Sequence, residues 1–379
     1  MNSALINRRA RIGVLGHFLV NGAGLGLWAS RLPAVKADIG LSDGQIGLVL
    51  FVGAIGAMSA LKVAGPVIER VGSRRATQVS GLCVAIAFGA PAVATSFATL
   101  AAAMLMIAAA SSFQDVGMNT QGVLVQRRYG RPLMSSFHAS FSIGLAAGAA
   151  LGAAAAALGL GFRPTMVAGA AVLFVVVLGA NRWLLNIAET ARRDPSQGRV
   201  RARLPHRGLL IALGIIGFAS FITEGAAADW AAIYLSDETG ASESIAAVGL
   251  VAFSTTMTIG RLLGDRLAAR LGAMLLIRSG TALAGCALGA GLLLGGTGVG
   301  IAMFGILGIG LSIVVPQVFS AAGSLAPDRT PAALSLVSLL SYSGFLLGPA
   351  TIGALADLTS LRWALLLPAA LVLLAMLVA

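Results

Sequence analysis

The chain has 379 residues, of which 58% are hydrophobic and only 11% are charged. A soluble domain carries roughly 25% charged residues, so this composition excludes an ordinary soluble protein and indicates a chain that lies in lipid. The formal net charge of +12 would also suit a nucleic-acid-binding protein. The positions of the basic residues decide between these two classes.

Backbone groups inside a bilayer must form their own hydrogen bonds, so apolar stretches of about 20 residues are expected to be helices. We therefore predict an all-α membrane protein, with twelve transmembrane helices in two pseudo-symmetric six-helix bundles. The bundles comprise 1–185 and 208–379, and a linker at 186–207 joins them. The predicted spans are 10–32, 44–66, 75–96, 99–125, 135–159, 162–184, 208–233, 244–265, 273–294, 297–321, 331–355 and 361–379.

The second half of the chain repeats landmarks of the first half. Gly144 and Gly148 correspond to Gly344 and Gly348, and the offset of about 200 residues is typical of transporters built from internal repeats. The four-residue spacing of these glycines predicts faces where helices pack closely.

Most of the 26 Lys and Arg residues lie at the N-terminus and in the even-numbered connections. This asymmetry predicts that both termini are cytoplasmic, in a bacterial inner membrane. The polar stretch 186–207 is then a cytoplasmic linker, partly an amphipathic helix on the membrane surface; a nucleic-acid-binding arm is the weaker alternative. The basic charge thus indicates orientation, and no nucleic-acid partner is expected.

The first span places His17, Asn21 and Trp28 on one helix face, as expected of a cavity wall. Asn21 and Trp28 are candidate substrate contacts. Trp28 equally suits the aromatic belt at the membrane interface.

The connection between spans two and three reads GPVIERVGSRR over 65–75. It resembles the signature loop of the major facilitator superfamily, with Glu69 in place of the usual Asp. A weaker copy of this loop motif follows span eight at Gly264-Asp265-Arg266. The resemblance implies a cytoplasmic latch that bridges helix ends when a transporter faces outward, and charges that only set topology are the alternative. The residues that would form this gate are Glu69, Arg70, Arg74 and Arg75.

Span four contains the only carboxylate deep in the first half, Asp115, with Asn119 one helical turn further and Ser111 one turn before. An ionisable group near the midplane costs at least about 2.5–3.5 kcal/mol, so such residues are often functional. Burial disfavours the charged form of a carboxylate, which predicts proton coupling at Asp115. Asn119 is a candidate substrate contact. A structural hydrogen bond between helices is the alternative.

Span seven offers Glu224 as the second candidate for proton coupling, since it is the acid of the second half nearest the midplane. Asp229 lies nearer the outer end, where it either caps the helix or forms a gate pair with a basic residue such as Arg31. Lys62 and Arg261 are expected to extend to the cytoplasmic surface from the ends of spans two and eight.

Three further polar residues fall on spans that are expected to line the cavity or to move. Gln317 follows Pro316 at a predicted kink in span ten and is a candidate substrate contact, as is Tyr342 in span eleven. His138, near the cytoplasmic end of span five, is a candidate for the inner gate; a structural histidine is the alternative.

The segments Asp115–Asn119 (DVGMN), 127–132 (RRYGRP) and 136–138 (SFH) resemble a bacterial branch of the superfamily related to the fucose permeases. This resemblance implies proton symport of a sugar-like solute, with an acid on span four that Asp115 matches. Fucose permeases also carry an acid on span one, where this chain has Asn21.

The sequence thus predicts a secondary transporter that works by alternating access, with a small polar solute, protons and the lipid bilayer as its partners. A proton-antiport exporter of drugs or metabolites and a non-transporting membrane sensor are the alternatives. The sequence contains no metal-ligand cluster, catalytic-triad spacing or phosphate-binding loop, so neither an enzyme nor a cofactor is expected. We expect a monomer.

Overall fold

The computed structural model describes residues 3–41, 43–185, 204–241 and 243–379. These residues form helices joined by short connections and contain no strand, which confirms the predicted all-α class. The helices are α1 (Ser3–Ile39), α2 (Asp43–Val71), α3 (Ser73–Ala87), α4 (Phe97–Tyr129), α5 (Met134–Ala157), α6 (Phe162–Asn181), α7 (Arg207–Asp237), α8 (Glu243–Leu271), α9 (Ala273–Leu294), α10 (Thr297–Ser312), α11 (Val314–Leu325), α12 (Thr330–Leu358), α13 (Leu361–Ala364) and α14 (Leu366–Val378).

Eleven segments of the described chain are long and apolar enough to cross a membrane. In this count α10 and α11 form one span, and so do α13 and α14. The remaining predicted span is α8, in which Arg261, Asp265 and Arg266 lower the hydropathy. Its 29 residues extend over roughly 43 Å at about 1.5 Å per residue, which exceeds the hydrocarbon thickness of about 30 Å. With α8, the structure is consistent with the twelve predicted spans.

Most of the predicted linker lies outside the described residues. The described chain stops at Leu185 and resumes at Leu204, three residues before α7 begins. The amphipathic helix predicted within 186–207 therefore falls outside it as well.

The described residues divide into two compact units. Unit 1 consists of those within Met1–Leu133, Phe137–Leu204 and Ala326–Ser335. Unit 2 consists of those within Met134–Ser136, Pro205–Leu325 and Leu336–Ala379. Each unit therefore includes a short segment from the other half of the sequence.

Each unit has its own apolar core. Residues of α1, α3, α4 and α6 pack together in unit 1, including Leu27, Trp28, Phe88 and Ile107. Helices α7 to α10 and α12 to α14 contribute the core of unit 2: Tyr234, Phe253, Phe304, Ile352 and Leu365 are among its members.

Glycines bring α1 and α5 into close contact in unit 1. A Cβ atom added at Gly26 would meet the carbonyl oxygen of Leu145 and lie 2.8 Å from the Ala149 amide nitrogen. Gly148, on the opposite helix, contacts the backbone of Ala23 in the same way. Small residues on both helices therefore let the two backbones touch, as the glycine spacing on α5 predicts.

Replacement of Gly26 by Ala should destabilise unit 1, because the new methyl group would have to push the backbone of α5 away. Overpacking typically costs about 1–3 kcal/mol, so we expect the midpoint of thermal unfolding in detergent to fall by about 5 °C. Gly289→Ala in α9 is the matched control, since nothing lies within 4 Å of its added Cβ. Equal midpoints for the two variants would contradict the close contact.

Candidate functional site

The polar face of α4 brings together the two span-four residues that the sequence singles out. The Asn119 side-chain nitrogen donates hydrogen bonds to the Asp115 Oδ1 atom at 3.0 Å and to the Asp115 carbonyl at 2.9 Å. Asp115 is only 7% exposed and Asn119 is fully buried. The spacing of four residues places both on one helix face, and the amide holds the carboxyl group in one orientation.

Helix α1 adds Asn21 to this face. Its side-chain nitrogen donates a hydrogen bond to the Ser111 carbonyl at 3.2 Å. The Oδ1 atoms of Asn21 and Asn119 and the hydroxyl of Ser111 are buried and form no hydrogen bond with the described residues. A buried polar group without a partner costs about 1–3 kcal/mol. We refer to Asn21, Ser111, Asp115 and Asn119 as the acceptor patch, because the unpaired oxygen atoms of Asn21, Ser111 and Asn119 could accept hydrogen bonds from a polar solute.

His17 lies one turn before Asn21 on α1 and contacts Gln114 of α4. Its Nδ1 atom lies 2.7 Å from the side-chain nitrogen of Gln114, and the Ser80 hydroxyl donates to the Gln114 Oε1 atom at 2.5 Å. All three side chains are buried, so Gln114 links α1, α3 and α4 inside unit 1. Gln114 was not among the predicted site residues, although an amide next to Asp115 in an apolar span could have indicated it.

Trp28 and Arg31, near the far end of α1, are both buried. Trp28 is 4% exposed and belongs to the apolar core of unit 1, and its role as a substrate contact remains a prediction. The Arg31 guanidinium donates to the carbonyl of Leu160 at 2.6 Å and that of Gly152 at 3.5 Å. Asp229 is exposed, and the gate pair predicted between Asp229 and Arg31 is untested.

Glu224 and Arg261 form an ion pair in unit 2. The Arg261 Nη2 atom is 3.5 Å from the Glu224 Oε1 atom, and the two side chains are 8% and 20% exposed respectively. The prediction that Arg261 extends to the cytoplasmic surface is therefore wrong. A carboxylate within reach on α7 balances its charge inside the protein. Lys62, by contrast, is exposed.

Gln317 lies just after a break in the tenth span. Helix α10 ends at Ser312 and α11 begins at Val314, because Pro316 has no amide hydrogen for the Ser312 carbonyl. The Gln317 side-chain nitrogen donates to the Ser135 hydroxyl at 3.3 Å. This contact holds the first turn of α5, and a substrate role for Gln317 stays a prediction.

Asp265 also binds the start of α5. Its two carboxylate oxygens accept hydrogen bonds from the backbone amides of Ser135 and Ser136, at 2.9 and 3.0 Å. The first amides of a helix lack partners within the helix, so an acid there is favourable. Asp265 was predicted only as part of the weaker copy of the signature loop after span eight.

His138 and Tyr342 both lie against aromatic rings. His138 is buried and contacts the edge of Phe18, with ring centroids 5.2 Å apart. Tyr342 is partly buried, 4.9 Å from the Phe221 ring. The gating role of His138 and the substrate role of Tyr342 are therefore still predictions.

The end of α2 is bound to the turn that precedes α12. Glu69 accepts two hydrogen bonds from the Arg329 guanidinium, at 3.1 and 3.2 Å. Arg127 binds the same turn through the Pro327 carbonyl at 3.2 Å and the Thr330 hydroxyl at 3.1 Å. Neither Arg329 nor Arg127 was predicted as a gate residue. Among the basic residues that were predicted as gate residues, Arg70 and Arg75 are exposed and Arg74 is partly buried.

Comparisons with known proteins agree with one another. The sequence model of the Major Facilitator Superfamily matches residues 14–330 and 213–379. An uncharacterised MFS-type transporter of Yersinia pestis is 34% identical over 346 residues, which cover 91% of this chain and 88% of that protein. Membrane protein MosC of Rhizobium meliloti is 30% identical over 353 residues, which cover 92% and 84% of the two chains.

Solved structures of similar fold extend over almost the whole chain. FucP in its outward conformation matches with a TM-score of 0.82 at 16% identity and covers 97% of both chains. A second structure describes FucP as the fucose:proton symporter of E. coli. The human organic anion transporter MFSD10 matches with a TM-score of 0.77 at 14% identity, over 98% of this chain and 99% of the other.

Replacement of Gln114 by Leu should destabilise unit 1, because the new side chain cannot hydrogen-bond to buried His17 or Ser80. Each lost partner costs about 1–3 kcal/mol, so we expect the thermal midpoint in detergent to fall by at least about 5 °C. Gln45→Leu is the control, since Gln45 is exposed on α2. A midpoint unchanged by Gln114→Leu would show that the three side chains contribute nothing as a network.

Proposed function

Because the chain belongs to the major facilitator superfamily, we propose that this membrane transporter is a secondary active symporter that carries a small, sugar-like solute together with protons. The family and the major facilitator fold predicted from the sequence are confirmed by the same comparisons. The solute class, the coupling ion and the site residues belong to the proposal.

The acceptor patch is the observation that supports a polyhydroxylated solute. Sugar hydroxyls are hydrogen-bond donors, and the buried oxygens of Asn21, Ser111 and Asn119 have no donor among the described residues. A solute that supplies these donors removes the cost of the unpaired groups, whereas a purely apolar solute leaves it in place. That FucP is a fucose:proton symporter fits the same solute class.

Asp115 is the group that we assign to proton coupling. Asp115 is 7% exposed, and loss of its proton inside the bilayer would leave a charge that is costly to bury. A proton taken up from one side neutralises the group while the cavity is closed, and water access on the other side favours its release. Glu224 is the second candidate for coupling.

The remaining assignments follow from alternating access. We propose that the bundles 1–185 and 208–379 move against each other in a bacterial inner membrane, with both termini cytoplasmic and the protein a monomer. Trp28, Gln317 and Tyr342 complete the substrate contacts. The Glu69–Arg329 pair forms the inner latch, and the other proposed gate residues are Arg70, Arg74, Arg75, His138 and Asp229.

Replacement of Asp115 by Asn should uncouple transport, because the amide keeps the size of the side chain but cannot carry a proton. Proteoliposomes with an imposed pH gradient and a panel of labelled hexoses and deoxyhexoses, L-fucose included, provide the measurement. We expect gradient-driven accumulation to be abolished, because the amide carries no proton across the membrane, while solute exchange without a gradient continues.

Asp357→Asn is the control for this experiment, because Asp357 is exposed at the end of α12. Full accumulation by the Asp115 variant would overturn the coupling assignment. Wild-type protein that moves none of these solutes would contradict the proposed solute class.

A charge exchange tests the latch. Glu69→Arg or Arg329→Glu alone places two like charges together and should lower the turnover rate several-fold, with solute affinity unchanged, because the contact lies away from the acceptor patch residues. The double variant restores opposite charges and should recover most of the wild-type rate. A double variant that turns over no faster than the single variants would contradict the latch. The two charges would then serve only to orient the chain in the membrane.

A further inference from the structure

A groove runs between α2 and α4 in unit 1. Its volume is about 450 Å³, within the roughly 300–1,000 Å³ of ligand sites in proteins. The lining residues on α2 extend from Ile55 to Val63, which is roughly 12 Å along the helix axis at about 1.5 Å per residue. Ser59 is the one polar side chain among the residues that line it. The groove is therefore an elongated apolar site.

Small residues create the space in this groove. Gly56 brings the two helices together, since a Cβ atom added there would lie 2.6 Å from the carbonyl oxygen of Leu105 on α4. Ala60 and Ala109 continue the lining along the two helices, and their methyl groups leave room between the larger side chains. The groove thus results from small side chains between two closely packed spans.

The open side of the groove is bordered by exposed apolar side chains. Ile55 and Val63 are each half exposed, and Leu105 is also exposed. Leu48 and Phe51 extend the exposed apolar face along α2, which is long and apolar enough to cross a membrane. An exposed apolar face on such a helix contacts lipid chains, whereas a wall that binds a polar solute carries polar groups. We therefore infer that the groove opens towards the hydrocarbon of the membrane.

The cation Lys62 borders this groove. Lys62 directly precedes Val63 and lies one helical turn after Ser59. Its side chain is exposed and forms no hydrogen bond or ion pair with any residue that the structure describes. The predicted span ends at 66, so Lys62 lies roughly 6 Å inside the membrane at about 1.5 Å per residue. A lysine at that depth extends its ammonium group to the lipid headgroups.

The internal repeat shows why Lys62 has no counter-ion on α1. Its second-half counterpart, at the offset of about 200 residues, is Arg261, which pairs with Glu224 on α7. The position on α1 that corresponds to Glu224 is Gly22. A Cβ atom there would meet the backbone of Phe141, so the packing of α1 leaves no room for a carboxylate. The first half therefore has the cation at this position without the acid.

The acids of α2 and α4 do not replace that missing carboxylate. Glu69 binds the guanidinium of Arg329, and Asp43 begins α2 at its opposite end. Asp115 follows the groove residue Phe113 by two positions, which places it about 200° around α4 and away from the groove. The acids of these two helices thus leave the exposed lysine without a counter-ion.

We propose that this groove binds an acyl chain of an anionic phospholipid and that the lipid phosphate is the counter-ion of Lys62. Lipid tails are as apolar as the groove, so the groove alone does not select one lipid over another. The charge makes the selection, because basic sites between spans bind acidic headgroups and the ammonium of a lysine binds phosphate as a point charge. A zwitterionic headgroup carries its own cation and competes less well.

One such site is expected in each chain. In the second half Arg261 is buried beside Glu224, so the repeated position offers no exposed cation to a headgroup. The proposal adds a lipid site to the proposed function and does not depend on the transported solute.

The first experiment measures lipid binding to the purified, delipidated full chain in detergent by native mass spectrometry. The probes are phosphatidylglycerol and phosphatidylcholine with the same two acyl chains, added in competition. One phosphatidylglycerol should bind with about fivefold preference, as expected for one lysine near a lipid headgroup. Glycerol 3-phosphate, which has the phosphate but no acyl chain, should not displace it. Equal binding of the two lipids, or displacement by glycerol 3-phosphate, would overturn the proposal.

Variants then assign the site. Lys62→Gln should bind phosphatidylglycerol about fivefold more weakly, so that the preference disappears, and Lys62→Arg should keep it. Ala109→Phe fills the groove and should lower the occupancy of the bound lipid, while its thermal midpoint without lipid shows that it folds. Arg278→Gln is the matched control, because Arg278 is an exposed cation of α9 in unit 2. It should bind both lipids as the wild type does.

An unchanged preference in Lys62→Gln would overturn the headgroup assignment, and wild-type occupancy in Ala109→Phe would overturn the groove as the site of the chain. A lipid-free particle of two chains that Ala109→Phe dissociates would show that this face joins two copies, and would also overturn the proposal. These measurements use no transported solute, so a failure of the proposed symport leaves their outcome unaffected.

Discussion

A charged or polar group inside the bilayer must find its partner within the protein, and this constraint determines the polar interior of both units. The partners differ with position. Arg31 uses backbone carbonyls within and just beyond the C-terminal part of α5, Arg261 uses a carboxylate on the neighbouring helix, and Asp115 uses an amide one turn away. Only the groups whose partner can be exchanged for a solute or a proton are suited to transport. The fixed contacts of Arg31 serve the fold.

The internal repeat is clearest in contacts that serve the fold. At the start of α6, Arg163 donates to the Ala92 carbonyl at 2.7 Å and to Asp38 at 2.7 Å. At the start of α13, Arg362 donates to the Leu293 carbonyl at 2.7 Å. In both halves an arginine in the first turn of the last span thus holds the end of the third span. The polar residues of the membrane interior do not repeat in this way, since Asp115 belongs to the first half and the Glu224–Arg261 pair to the second. The contacts that hold helix ends therefore occur in both halves, whereas the polar groups of the interior differ between them.

The sequence was sufficient for the spans because the physics that defines them is local. Twenty apolar residues in lipid must form a helix, and even α8, with its five charged residues, is recognised by length and by its place in the repeat. The pairing of polar side chains on different helices is not local. Whether Arg261 extends to water or binds Glu224 depends on how α7 packs against α8. The sequence pattern of either helix alone does not indicate this packing. The same holds for Gln114 and His17, which meet across two helices. Asp115 and Asn119 could be paired in advance because both lie on one helix, four residues apart.

The close contact of α1 and α5 connects packing to the acceptor patch. Gly22 follows Asn21 directly, and a Cβ atom at Gly22 would meet the backbone of Phe141 on α5. The same helix must also present Asn21 to the Ser111 carbonyl on α4, so α1 is fixed from two sides within one turn. A larger residue at position 22 would move α1 away from α5, and the Asn21 amide would move with it relative to Ser111 and Asp115. The glycine is thus part of the site although it binds nothing, because the position of a polar group in lipid is set by how closely its helix can approach its neighbours.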